Sequence, residues 1–202
     1  MTKVGITDHG ITTRTPDNIM LGAGVIYRDF EWDDALGKWQ GEILGATSGG
    51  NKLSIVPKMI DLELDGAVVS VERISDVKMG EEATIETSLV ELTPDMVAKA
   101  VIGSMGDGEE EDFKHIRSKP GLEPGDFYDN LAFVGRKTDG SAIIVVFEKA
   151  LVTGGLTLEG KNGEKSAFSV TIKCVAPIND EGVSYTTLPY HIYTKDTSGL
   201  NG

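Results

Sequence analysis

The sequence predicts a mainly β protein, an antiparallel β-sandwich or barrel with one flanking α-helix. Three observations carry that expectation. Twenty-five glycines, many in turn dipeptides, divide 202 residues into short β-branched runs. The stretch 81-EEATIETSLVEL-92 alternates strictly, with Ala83, Ile85, Thr87 and Leu89 on one face and Glu82, Thr84, Glu86 and Ser88 on the other. One segment, 93-TPDMVAKAVIG-103, carries both the start and the stop signals of a helix.

Strands are expected near 23–30, 53–64, 81–92, 130–137, 142–152, 155–160, 165–176 and 184–193. Asp139-Gly140 and Asn162-Gly163 stand between paired runs and suit the positive φ angles of tight hairpin turns, and Asp65-Gly66 marks a third turn after MIDLEL. The helix is expected over 94–102: Thr93 caps it, Pro94 fits the first helical position, Asp95 favours the positive dipole end, and Gly103 terminates it. Its apolar face, Met96, Val97, Ala100 and Val101, is expected to dock on the sheet edge or to close the sandwich.

Length and composition set the outer limits. A chain of 202 residues can bury a core of its own as one domain, and 40% hydrophobic with 25% charged residues is a globular composition. No segment approaches the 18 or so apolar residues of a membrane span, and MTKVGITDHGITTRT has no apolar run of the secretory kind, so no membrane partner and synthesis in a cytoplasm are expected. Cys174 is the single cysteine, which excludes an intrachain disulfide and a cysteine-cluster metal site. Nineteen basic against 32 acidic residues give a net charge of −13, a balance that repels phosphate backbones and disfavours tight nucleic-acid binding.

Residues 45–53, GATSGGNKL, approach a phosphate-cradling loop without meeting its requirements. Asn51 separates Gly50 from Lys52, Leu53 stands where a hydroxyl should hold magnesium, and Pro57 follows where a helix should run. Other catalytic signatures are equally lacking. His9, His115 and His191 share no motif, and Glu109, Glu110, Glu111 and Asp112 match no calcium-loop or metalloprotease spacing and read as a solvated charge block. No Gly-x-Ser-x-Gly elbow is present. No enzyme activity, cofactor or metal is expected.

Two long irregular stretches are expected, 31–52 and 103–129. The first carries Trp32, Leu36 and Trp39 behind Phe30, too apolar for an idle exposed loop and suited to a contact surface. Acidic residues also alternate in 59-MIDLELD-65, where Asp61, Glu63 and Asp65 oppose Ile60, Leu62 and Leu64. Laid beside Glu82 and Glu86, they would make an acidic sheet face, although a polar outer face is what antiparallel sheets ordinarily show.

In order, 18-NIMLGAGVIYRDF-30, 44-LGATSGGNKLSIVP-57, 59-MIDLELDG-66 and 81-EEATIETSLVELTPDMVAKAVIG-103 resemble the major tail tube protein of long-tailed, non-contractile phages or prophages of Gram-positive bacteria. The resemblance covers roughly residues 16–176. Residues 1–15, the acidic stretch 104–128 and the segment after Pro177 have no counterpart. It implies a single tail-tube domain over 1–202, with an N-terminal arm of about 1–15, an assembly loop of about 31–52 and a C-terminal extension of about 178–202.

It also implies a structural virion protein whose hexameric rings, each closed by inner sheets into one barrel, stack into a tube for DNA ejection. The implied partners are further copies of the chain, a tape measure protein within, terminator and distal tail or baseplate proteins at the ends, and double-stranded DNA in passage. Asp61, Glu63, Glu82, Thr84, Glu86 and Ser88 become candidates for the lumen, where like charge keeps DNA from sticking. Phe30, Trp32, Leu36, Trp39, Gly45, Gly49 and Gly50 become candidates for contacts between subunits or rings, the glycines letting the loop bend. Two alternatives remain: a monomeric carbohydrate-binding sandwich with Trp32 and Trp39 as stacking platforms, and a secretion-system tube relative.

Overall fold

A computed structural model describes residues 10–11, 15–62, 76–108, 112–158, 167–178 and 187–195. Among these residues ten strands and one α-helix follow one another: β1 (Met20–Asp33), β2 (Lys38–Ile43), β3 (Thr47–Asp61), β4 (Asp76–Leu89), α1 (Pro94–Val101), β5 (Gly103–Asp107), β6 (Lys114–Ser118), β7 (Phe127–Lys137), β8 (Ala142–Val152), β9 (Phe168–Cys174) and β10 (Tyr190–Thr194). The mainly β class with one flanking helix is therefore as the sequence predicts.

The strands form one antiparallel sheet in the order β2-β1-β7-β8-β9-β4-β3, with β10 also on β8, and β5 and β6 form a separate hairpin. The large sheet forks at β8. Beside β7 on one edge, β8 pairs on its other edge with β10 through Ile143–Phe147 and with β9 through Ala150–Val152. One wall is thus β2-β1-β7-β8-β10 and the other β9-β4-β3. Their inner faces meet in a single core of Ile26, Leu131, Phe133, Val145 and Phe147 from the first and Ala83, Ile85, Leu89, Phe168, Val170 and Ile172 from the second. Opposite the fork the two walls are joined by Asn51 on β3. Its amide donates to the carbonyls of Ala23 and Gly24 on β1, both at 3.1 Å, and its own oxygen accepts from the buried Thr87 hydroxyl at 2.5 Å.

Local chemistry accounts for most of these elements. The hairpin between β7 and β8 turns at Asp139-Gly140, where Gly140 has φ +79° and the Asp139 carboxylate accepts from the Ser141 amide and hydroxyl. In β1, Gly24 has φ +72°, and a Cβ there would lie 2.5 Å from the Phe133 ring, so only glycine lets this core aromatic seat. Cys174 is fully buried, which pushes its thiol pKa up to about 12. It packs, as a lone cysteine should.

Several expectations need correcting. The stretch 31–52 is not an irregular loop. β1 runs on to Asp33, turns over Asp34–Gly37, and returns as β2, with Trp32 directly opposite Trp39. Likewise 103–129 contains β5 and β6, which pack against α1. The β1–β2 turn lacks the Asn-Gly or Asp-Gly signal that identifies a tight turn, whereas the second hairpin does carry Asp107-Gly108 at the end of β5, next to an acidic block that dominates the reading of that stretch. No strand forms over 155–158, where Leu158 makes one isolated bridge to Phe168. The Asn162-Gly163 and Asp65-Gly66 turns lie outside the described residues.

The helix begins as predicted, with the Thr93 hydroxyl accepting from the Met96 amide at 3.4 Å. Its end differs. Ile102, at φ 51°, takes the left-handed cap position, and Gly103 opens β5, where a Cβ would lie 2.8 Å from Ile116 Cγ2. The buried positions are Met96, Ala98 and Ala100, while Val101 is exposed. The β5–β6 hairpin covers a second side of α1, so its buried stripe is displaced from the one the spacing suggests.

Candidate assembly surfaces

The outward face of β9-β4-β3 is built by the alternation seen in the sequence. Glu82, Thr84, Glu86 and Ser88 share one side of β4, and register sets Val56, Ser54 and Lys52 beside the first three, with Lys173 and Thr171 of β9 across from Thr84 and Glu86. Lys52 Nζ bonds Glu86 at 2.8 Å, while Lys58 and Lys173 lie 3.3 and 3.5 Å from the Glu82 carboxylate. Hydrogen bonding from Lys58 and the nearby charge of Lys173 hold the Glu82 pKa below the usual carboxylate range. Ser88 and Ser169 complete the row at 3.1 Å.

This face is not acidic, contrary to expectation. Three lysines, at 52, 58 and 173, face two carboxylates, so its formal charge is 3 − 2 = +1. The expectation set acidic strand against acidic strand. β3 does pair with β4, but its lysine-bearing half lies beside Glu82 and Glu86, while Asp61 sits at the far end opposite Asp76. Counting along β3 from Leu53 and Ile55 places Asp61 on their side and Lys58 on the other. Glu63 lies outside the described residues.

The glycines prove to belong to the same strand. Between the pairs Thr47–Leu89 and Asn51–Thr87, β3 has two more residues than β4, and Gly49 and Gly50 absorb them at φ +83° and +92°. They form a bulge rather than a loop. Gly45 lies just before, in the link from β2, where the Ala46 amide bonds Glu91 at 3.1 Å.

Beyond Glu82, no strand but β3 accompanies β4 among the described residues, and the pair continues as a two-stranded arm. Val56, Met59, Ile60, Leu62 and Met79 are all exposed along it, Met79 at 68%. At the root of the arm the Glu81 carboxylate accepts from Lys78 Nζ at 2.6 Å, the Leu188 amide at 2.9 Å and the Tyr190 hydroxyl at 3.2 Å. The lysine and then the amide hold the Glu81 pKa down. Glu81 thereby fixes the arm to β10.

The outward face of the other wall is apolar. Tyr27, Ala132, Val146 and His191 stand in one cross-strand row and Val25, Val134, Ile144 and Tyr193 in the next. Phe30, Ala132, Ile144 and Val146 are buried there as a second cluster under an aromatic cover. Trp39 stacks on Phe30 at 5.3 Å and 6° between planes, leans on Tyr193 at 4.8 Å, and meets Trp32 edge-on at 5.5 Å. A hollow of about 400 Å³ lies over this cover, with Lys38 and Arg136 among its lining residues. Of the predicted contact residues, Phe30 is buried, Trp39 half-buried, and Trp32 and Leu36 exposed at 48% and 59%. One face of Trp39 packs on Phe30.

The sequence reading missed Lys52, Lys58 and Lys173 as partners, Tyr193 as cover and Asn51 as the joint. One signal was present. The run AIIVVF in β8 has apolar residues on both faces, the mark of a strand covered on two sides. Among the described residues, no group of three or more His, Cys, Asp or Glu could hold a metal ion, and no helix is long and apolar enough to cross a membrane.

No family model and no curated protein matches the chain. Among solved structures it is similar to a chain of a structure described as the virion of a native gene transfer agent particle. That likeness has 14% identity and a TM-score of 0.38, over 77% of this chain and 92% of the other. A likeness this slight carries no argument about function.

Proposed function

We propose that this protein is a structural virion component of the tail tube kind, forming hexameric rings that stack into the conduit for DNA ejection. The observation that carries the reading is the β3–β4 arm, which continues past the sandwich with Val56, Met59, Ile60, Leu62 and Met79 exposed. A solitary chain gains nothing from apolar residues on a projecting ladder, whereas a second copy can bury them. Among the described residues, no strand pairs with the outer edges of β2 and β3, which suits them to a neighbouring strand. The order of sequence features resembling tail tube proteins supplies the rings, the stacking and the passage of DNA. A near-neutral face on β9-β4-β3 would let DNA slide if it lines the lumen, through balanced charge instead of repulsion.

Size-exclusion chromatography with negative-stain microscopy over increasing protein concentration tests the reading. Rings or tubes are expected. A chain that stays monomeric at the highest concentration sinks it. Trp32→Ala should weaken assembly while leaving the fold intact, since Trp32 touches the aromatic cover only edge-on.

A further inference from the structure

The longest acidic run of the chain, 109-EEED-112, connects β5 to β6, and Asp107 at the end of β5 makes five carboxylates within six residues. The strand that follows is basic. β6 carries Lys114, His115 and Arg117, and Lys119 comes just after it. Counting by twos, Phe113, His115 and Arg117 fall on one side of the ladder and Lys114, Ile116 and Ser118 on the other. Ile116 turns toward α1, where a Cβ on Gly103 would meet Ile116 Cγ2 at 2.8 Å and Val101 Cγ2 at 3.1 Å. The side of His115 and Arg117 is therefore the outer one, and it is open, because their cross-strand partners are the small Gly106 and Ser104. Phe113 stands beside them, exposed at 65%.

Arg117 Nε donates to His115 Nδ1 at 3.3 Å, which leaves the ring proton on Nε2 and keeps the two terminal nitrogens of Arg117 clear of any carboxylate among the described residues. The acids nearby are engaged elsewhere. Glu123 and Asp126 hold Lys119 at 2.9 and 2.8 Å, Asp95 lies 3.5 Å from Arg28, and Asp107 sits opposite Lys114 on the other side of the ladder.

We propose that the outer side of β6 is a carboxylate site and that it takes the acidic run 109–112 of a second copy. The planar fork of Arg117 matches a carboxylate, and the His115 Nε2 proton adds a second donor on the same side. The hairpin keeps its own run at the opposite end: the Gly108 amide donates to the Phe113 carbonyl at 3.0 Å and closes the turn, and Arg117 lies four residues, about 13 Å, further along the strand. Each copy thus has a carboxylate end and a cation end, so the contact is head-to-tail and builds a ring or a stack. Nucleic-acid phosphate shares this chemistry, but two donor groups fall short of the row of cations that a phosphate backbone requires. The inference rests on the self-assembly proposed above.

Exchanging the charges tests the contact. Arg117→Glu, and separately Glu109→Lys with Glu110→Lys and Glu111→Lys, should each raise the concentration for half-assembly at least about tenfold. Mixed one to one, these two variants should assemble again near the parent's concentration, because every run then faces a site of opposite charge. Recovery in a single chain carrying all four substitutions but not in the mixture would mean that the run serves its own strand, and overturns the proposal. So does an Arg117→Glu variant whose unassembled form melts well below the parent, which would make Arg117 a support of the hairpin. Binding of a double-stranded oligonucleotide by the unassembled parent, lost in Arg117→Glu, would reassign the site to phosphate. A parent that stays monomeric removes the proposed function and this contact together, whereas tubes formed equally well by Arg117→Glu remove the contact alone.

Discussion

The two outward faces of the sandwich obey the same alternation and end with opposite chemistry. On β9-β4-β3 every second residue but Val56 is polar, and Lys52, Lys58 and Lys173 pair with Glu82 and Glu86 in partly exposed bridges. On β2-β1-β7-β8-β10 the corresponding positions are Tyr27, Phe30, Trp39, Val134 and Ile144, which bury one another under an aromatic cover. Partly exposed ion pairs contribute little to stability, and apolar burial contributes a great deal. The first face is therefore free to be rewritten by function, while the second holds the fold as well as offering a surface.

The sharpest break of that contrast is Trp39→Ala. Removing the ring that covers Phe30 and Tyr193 should cost about 2–4 kcal/mol in a urea titration. Lys52→Ala should stay within about 1 kcal/mol of the parent. Equal losses would erase the distinction between the faces.

Next in size is Glu81→Ala, which strips the Leu188 amide and Tyr190 hydroxyl of a charged acceptor and should cost on the order of 1–3 kcal/mol. Its pH dependence has a definite sign. The folded pKa is lowered by Lys78 and the Leu188 amide, so the contribution is present above the unfolded carboxylate pKa and lost as pH falls through the folded value. Urea midpoints of the parent and Glu81→Gln should converge on acidification. A gap that persists at low pH would mean that geometry, not charge, fixes the arm.

Gly140→Ala should follow at about 1–2 kcal/mol, since φ +79° strains any side chain at the β7–β8 turn. Smallest in stability is the double reversal Glu82→Lys with Glu86→Lys. It moves the polar face from +1 to 5 − 0 = +5 and should leave the urea midpoint close to the parent's. If that face lines a lumen, the tubes should retain DNA in a salt-sensitive way. Retention that ignores salt would place the face elsewhere.

How far the sequence speaks depends on the range of the information. The Asp139-Gly140 turn, the Thr93 cap and the β4 alternation are local, and each is legible within a dozen residues. Which strand lies beside β4, and in which register, is decided by long-range packing. For that reason Lys173 is invisible as a partner of Glu82 until β9 is placed. Asn51 shows the limit most clearly. In the sequence it is the residue that spoils a phosphate loop, and in the structure its amide joins the walls. Trp32 and Trp39 stand out in the sequence as aromatic residues of one stretch, but the hairpin that aligns them carries no tight-turn dipeptide to announce it.

That joint has a dynamic consequence. On one side the walls share the continuous ladder of β8. On the other, Asn51 contributes two donors in place of a row of backbone bonds. A sandwich so built breathes like a hinged book, with β8 as spine and Asn51 as clasp. The clasp sits next to Gly24 and Val25, which border a cavity of about 680 Å³ between β1 and the N-terminal turn of α1. Amide hydrogen exchange should therefore be fastest along β1 near Ala23–Val25 and slowest in the middle of β8, so opening begins where the cavity lies and not where the sheet forks.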